Sequence, residues 1–392
     1  MKRIVFFSIP AWGHTNPTVE VVRELVRRGN AVRYYTFAPF REKLEGAGAE
    51  VILCDGFLPP APADLDERMG KDFSLLIKMV TDTTLAMDEK VMGELKLFRP
   101  HVIVSDSVCF WGKLFARKLG VPYVCSTTTF AFNQHTAKLM KPKAGEMLYS
   151  LLGFPRISRC MARLRRHGYK VEKFLDLIQN DNETDTIVYT SPRFQPMAET
   201  FSRRYAFVGP SLPHLPEEEA SKSRPLIYIS LGTVMFDQPD FFRRCVEGLA
   251  GLDADVILST GREGDFSALP ENMKAYPRVD QLEVLRRADL FVTHCGMNSA
   301  NEAIWFGVPT VLYPQQSEET AVADRMEELG LGVRLKSDAP EAIRGAVETV
   351  LREPRYRENT RRLSQEFRCL GGAEAAADKI ESMAEADETT AL

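Results

Sequence analysis

The stretch Ala288-Asp-Leu-Phe-Val-Thr-His-Cys-Gly-Met-Asn-Ser-Ala-Asn-Glu-Ala303, continued by Gly307-Val-Pro309 and Tyr313-Pro-Gln-Gln-Ser-Glu-Glu319, decides how this chain is read. Leu290 to Val292 is a short apolar run of the kind that forms a buried strand, and it stops at Thr293-His294. A helix is expected at once, with Asn298 or Ser299 as its cap and Gly296 leaving the backbone open to a ligand. A histidine delivered beside the positive end of a helix dipole makes an anion seat suited to a diphosphate. His-x-Gly alone also reads as an ordinary strand-to-helix turn with a satisfied histidine. Glu302 adds a carboxylate one helical turn beyond Asn298, on the same face, where it can accept from ribose hydroxyls.

In order and spacing, Val279 to Gly332 resembles the nucleotide-sugar signature of the family-1 glycosyltransferases of the bacterial macrolide and flavonoid type. The resemblance implies an α/β GT-B architecture: two Rossmann-like parallel-sheet domains facing across a cleft. It places a UDP-sugar, most simply UDP-glucose, in the second domain and a small hydrophobic acceptor in the first, with inversion at the anomeric carbon. Val279-Asp-Gln-Leu-Glu-Val-Leu285 resembles the family's Val-Pro-Gln-Leu-x-x-Leu segment, which implies that Val279 and Gln281 meet the uridine. Asp280 replaces the proline there, so a fixed φ is expected to be lost, and Arg278 replaces an aromatic. Glu318-Glu319 stands where the family has an acid followed by Gln, and Val322 where it has Asn. The implied sugar contacts are Glu318 and Glu319, and the extra carboxylate predicts that UDP-glucuronate is a poor donor.

Composition agrees with an enzyme of two domains. The chain has 392 residues, 44% hydrophobic and 27% charged, and 50 basic against 54 acidic side chains leave a net charge of −4. Nothing in that balance asks for nucleic acid. The seven cysteines include no Cys-x-x-Cys pair, which fits a reducing cytoplasm. No run approaches the roughly 18 apolar residues of a spanning helix, so membrane insertion is not expected.

At the amino terminus, Ile4 to Ile9 reads as a strand buried on both faces, followed by the loop Pro10-Ala-Trp-Gly-His-Thr-Asn-Pro17. A helix from about Thr18 to Arg28 and a strand from Ala31 to Thr36 complete a βαβ unit, hence a parallel sheet. His14 then lies where open parallel sheets bind ligands, beyond the carboxyl ends of the strands. From the residues alone it is equally a loop histidine bonded to backbone. His101 to Ser105 is another buried strand, ending in Asp106, and parallel strands end on one edge, so the two side chains can meet. Asp106 can instead cap the helix that follows. In the resembled family a Gly-His-x-x-Pro turn supplies the catalytic base and an Asp at the end of this strand partners it; Gly13-His14-Thr15-Asn16-Pro17 and Asp106 match both.

Less regular segments occupy 56–90 and 127–166, and loops of this kind carry specificity. Trp12, Phe57, Phe73, Phe110, Phe130, Phe132 and Met140 are the acceptor-binding candidates, with core packing as the other reading of each. The basic stretch Arg156 to Lys173 reads as a solvated helix face, and contact with a membrane surface or an acidic acceptor is its other reading. Ile187 to Thr190 is expected to close the first sheet. The expected organisation is an acceptor domain at 1–208, a linker at 209–224, a nucleotide-sugar domain at 225–375, and a helix and frayed tail at 376–392 returning to the first domain.

The second domain opens on Leu226 to Leu231, followed by Ser230-Leu-Gly-Thr233, where Ser230, Gly232 and Thr233 can approach a phosphate. The expected reaction is direct displacement with His14 as general base. The helix dipole, His294, Ser230 and Thr233 would receive the diphosphate, so no metal or other cofactor is expected. A UDP-sugar epimerase or a non-catalytic nucleotide-sugar binder would use the same seat, and the test between them is loss of transfer without loss of binding on removing His14.

Overall fold

The computed structural model describes residues 1–57, 73–133, 135–136, 144–173, 177, 180, 182–215, 223–232, 238–262 and 269–390, with backbone alone at 73, 144–152 and 386–390. The chain forms two compact units, Met1–Leu212 with Gly371–Leu392, and Pro213–Leu370. The first unit carries β1 (Arg3–Phe7), β2 (Ala31–Thr36), β3 (Glu50–Leu53), β4 (Val102–Asp106), β5 (Tyr123–Thr127), β6 (Thr186–Val188) and β7 (Tyr205–Phe207). These form one sheet in the order β3-β2-β1-β4-β5-β6-β7, and every pairing is parallel. The uninterrupted apolar runs of β1 and β4 follow from burial on both faces.

The second unit repeats that plan. Strands β8 (Leu226–Ser230), β9 (Asp255–Ser259), β10 (Met273–Tyr276), β11 (Leu290–Thr293), β12 (Thr310–Leu312) and β13 (Gly332–Arg334) form a parallel sheet in the order β10-β9-β8-β11-β12-β13. In each sheet the strand order reverses once, at β1/β4 and at β8/β11, and ligands of open α/β sheets bind at such reversals. Register sets the chemistry there: Phe7 faces Ser105 across β1/β4, and Ser230 faces Thr293 across β8/β11.

Several elements depart from the sequence reading. Helix α1 begins at Trp12 and runs to Arg27, so His14 belongs to its first turn. Pro17 is tolerated inside it because it forgoes only one intrahelical bond, to the side-chain-free Gly13. The first sheet continues past Ile187 to β7, a strand of three residues too short to show a period. The acceptor-side helices are α2 (Arg41–Glu45), α3 (Phe73–Phe98), α4 (Phe110–Leu119) and α5 (Ala144–Arg166). Helix α5 occupies much of the segment read as irregular, and its basic face is partly used internally. Arg163 meets Asp82 at 2.6 Å and Arg156 donates to Ser74 at 2.6 Å, both on α3.

The second unit adds α6 (Pro239–Leu249), α7 (Gln281–Leu285), α8 (Met297–Trp305), α9 (Ser317–Glu328), α10 (Pro340–Arg352) and α11 (Pro354–Arg368). The return to the first unit starts at Gly371, ahead of residue 376, and α12 runs from Gly372 to Thr390, through most of the expected frayed tail. Ala376, Ala377 and Ile380 of α12 are fully buried in the first core. Its charges dock beside them: Lys379 meets the buried Asp185 at 2.5 Å, and Asn30 donates to Glu381 at 2.6 Å. No helix among the described residues is long and apolar enough to cross a membrane.

Candidate active site

At the β1/β4 reversal the structure joins the two residues that the sequence separates by most of a hundred positions. His14 Nδ1 lies 2.8 Å from Asp106 Oδ2, and the Asp106 side chain is only 2% exposed. Asp106 also keeps a local duty, since its Oδ1 accepts from the Val108 N–H at 2.9 Å. It does not cap α4, whose cap residue is Cys109 with no side-chain bond. A carboxylate on Nδ1 holds the proton there and makes Nε2 the basic nitrogen. Thr128 adds its hydroxyl at 3.1 Å from the same Nδ1. Sequence reading missed Thr128; the signal was the hydroxyl run Ser126-Thr-Thr-Thr129 at the end of the strand beside β4.

The β8/β11 reversal is built from bare backbone. Gly232 has φ +74°, and a Cβ there would stand 2.5 Å from the His294 ring; a Cβ on Gly296 would stand equally close to Nε2. Two glycines therefore make room for one imidazole. Cys295, between His294 and Gly296, takes φ +69°, a conformation rare for a residue with a side chain and held here by the Cys295 N–H bond to Thr293 Oγ1 at 3.1 Å. Burial drives the His294 pKa down to about 4, so the ring is neutral at physiological pH, and its Nδ1 has no hydrogen-bond partner among the described residues. Gly296, not Asn298 or Ser299, is the cap residue of α8, with no side-chain bond across it. The helix thus begins without a side-chain cap, the kind of end that can receive an anion through main-chain N–H groups. Ser230, buried at the end of β8, accepts from the Gly232 N–H at 3.3 Å. Thr233 lies outside the described residues.

Ser299 and Glu302 instead meet Gln281. The Gln281 amide nitrogen donates to Glu302 Oε2 at 2.6 Å and lies 3.1 Å from Ser299 Oγ, while its oxygen accepts from Tyr228 at 3.1 Å. Val279 packs against the small cluster around Tyr228 and Phe291. Asp280 does what the missing proline would do: its φ is −71°, and its carboxylate caps α7 by accepting from the Leu282 and Glu283 N–H groups at 3.1 and 3.3 Å. The expected loss of a fixed φ does not occur.

Glu318 is exposed at the start of α9. Glu319 is buried and turned inward; its Oε2 accepts from the Gln315 and Gln316 N–H groups at 2.7 and 3.0 Å in a capping box. Burial raises its pKa. Glu319 therefore gives no geometric ground for repelling an anionic sugar, because its carboxylate shapes its own loop. Asn298 sits half-buried in the first turn of α8.

The acceptor candidates divide. Phe130 is buried against Phe194, ring centroids 5.4 Å apart, and Trp12 packs edge-on against Phe40 at 4.7 Å. Phe57 also packs on the first core. These are packing residues first. Phe132 is 49% exposed and Phe110 half-buried at the start of α4, so both remain available to a ligand. Met140 and the Phe73 side chain lie outside the described residues.

Comparison with known proteins fits these two reversals. Residues 243–382 match the family described as erythromycin biosynthesis protein CIII-like, C-terminal domain. An NDP-glycosyltransferase of Bacillus licheniformis is 33% identical over 97% of both chains. The chain is a family-1 glycosyltransferase of the GT-B fold. A demethyllactenocin mycarosyltransferase of Streptomyces fradiae is 32% identical to this glycosyltransferase over 98% of the chain and 87% of its own length. The solved glycosyltransferase of kitacinnamycin superposes on it with a TM-score of 0.84, at 27% identity over 97% of this chain and 98% of the other. Glycosyl transfer from a nucleotide sugar is accordingly the activity of this enzyme.

Proposed function

We propose that this glycosyltransferase moves a neutral hexose, most simply glucose, from its UDP-sugar to a hydroxyl of a small hydrophobic acceptor, with inversion. The observation that carries the reading is the 2.8 Å contact between His14 Nδ1 and the buried Asp106. With the Nδ1 proton committed to Asp106, Nε2 takes the proton of the acceptor hydroxyl. The acceptor oxygen then attacks C1 in line, the bond from C1 to the diphosphate oxygen breaks, and the imidazolium is stabilised by the Asp106 carboxylate. The leaving diphosphate gathers charge, and the α8 amino terminus, the neutral His294 ring and the Gly232 backbone supply fixed donors and dipole for it. Those groups do the leaving-group work, so we also propose that no metal is required, and transfer should persist in a chelator. Glu302 and Gln281 take the ribose, and Glu318 the sugar hydroxyls.

Natural-product glycosyltransferases among the relatives favour an apolar acceptor, and Phe110 and Phe132 are the apolar side chains left open for it. The deciding experiment is His14→Ala assayed against a panel of phenolic and macrolide acceptors. Transfer should fall by ~10²–10⁴-fold, the span of general-base catalysis, while calorimetric titration with UDP is unaltered. Unchanged turnover in that variant would remove His14 from the reaction. An intact protein that binds UDP-glucose and glycosylates nothing would leave a binder or an epimerase.

A further inference from the structure

Resting on the placement of ribose at Glu302, we propose that Tyr228 is a positioning residue that aims Glu302 through the Gln281 amide. Tyr228 points out of β8 into the packing between strand and helices: it is 1% exposed, stacked on Phe291 with centroids 4.8 Å apart and planes 16° apart, in the cluster with Val284, Leu285 and Ala303. Burial pushes its phenol up to about 12, so it carries its proton throughout the working pH range. An amide oxygen can only accept, so at 3.1 Å the phenol donates to Gln281 Oε1.

The Glu302 carboxylate, which can only accept, settles the amide's orientation, and the phenol then holds the amide oxygen as its donor. With the oxygen committed to Tyr228, the Gln281 nitrogen faces α8, where it meets Ser299 at 3.1 Å and Glu302 Oε2 at 2.6 Å. Reversing the amide would set a carbonyl against the Glu302 carboxylate. A strand, a short helix and the donor-site helix are thus locked through one side chain. A Glu side chain on a helix surface ordinarily samples several rotamers, and pinning one of its oxygens fixes the direction of the other. Removing the phenol hydroxyl leaves Gln281 Oε1 without its donor and lets the amide swing, so Glu302 loses its aim although nothing that touches the nucleotide has been changed.

The test is Tyr228→Phe, with UDP and 2′,3′-dideoxyuridine diphosphate titrated calorimetrically into the intact protein and the variant. UDP should bind the variant about 3- to 10-fold more weakly, the worth of one hydrogen bond, whereas the dideoxy analogue, which gives Glu302 nothing to hold, should bind both proteins alike. Equal losses for both nucleotides would mean a merely structural tyrosine and overturn the inference, as would no loss for either. If the intact protein itself binds the two nucleotides equally, ribose is not at Glu302, and the donor-site reading falls with it; that result is visible before any variant is made.

Discussion

Two imidazoles stand at the strand-order reversals of two similarly wound sheets, and only one of them has a carboxylate. His14 is bonded to Asp106, whereas His294 sits against glycine backbone with its Nδ1 unpartnered among the described residues and its pKa driven down to about 4. The contrast is chemical. A ring whose proton is held by an anion becomes a better base at its far nitrogen, and a ring stripped of water and of any counter-charge stays neutral and serves as a fixed donor. On the proposed reading, one fold plan yields a proton acceptor in one unit and an anion seat in the other, according to whether the neighbouring strand ends in Asp106 or in Ser230.

The sharpest way to break that comparison is to remove the carboxylate and keep its shape. Asp106→Asn offers Nδ1 an amide in place of an anion and cannot stabilise the imidazolium, so transfer should fall on the order of 10²-fold or more. UDP affinity, read by calorimetry, should stay at the native value. Turnover near native would mean that His14 needs no anionic partner, and the two histidines would not differ in the way described.

A smaller loss is expected from closing the other seat. Gly232→Ala sets a Cβ 2.5 Å from the His294 ring at φ +74°. The left-handed backbone alone costs about 1–2 kcal/mol, and the displaced imidazole adds to it. UDP affinity should fall about tenfold or more, with the pH dependence of transfer, which the proposal assigns to His14, unaltered. A UDP titration superimposable on the native one would show that the ring's seat is not where the diphosphate binds.

The third effect concerns stability. The His294 pKa is depressed from 6.5 to about 4 by desolvation, so between these values the unfolded chain binds the proton and the folded chain does not. Its contribution is therefore full above pH 6.5 and is lost as pH falls toward 4, reaching about 2 kcal/mol by pH 5. Thermal melts of the native protein at pH 7 and pH 5 should differ by more than those of His294→Asn. Identical pH dependence in the two proteins would mean that the ring protonates in the fold without penalty, against the buried neutral imidazole drawn here.

How far the chain could be read in advance varied with the range of the contact. Strands β1, β2, β8 and β11 follow from apolar runs, and β2 matches the expected Ala31 to Thr36 residue for residue. The short strands β6, β7, β12 and β13 hold three residues each, too few for a period, and only β6 was near an expected strand. Glu319 shows a different limit. Its position suggested a ligand, but its carboxylate is consumed by two N–H groups of its own loop, a choice that depends on the loop's fold rather than on residue type. Asp280 was read as a defect for the same reason, although its side chain caps α7 at nearly the φ a proline would impose.

By itself the sequence determined the parallel α/β class, the two histidine turns and the family, because these rest on local hydrophobic runs and short spacings that survive without any knowledge of packing. Tertiary structure alone decided that Tyr228 reaches Gln281, that Thr128 joins His14, and that Glu319 faces inward. The first two join residues far apart in the chain, and all three turn on the direction of a single side chain, which is set by which neighbours exclude water and which accept a proton.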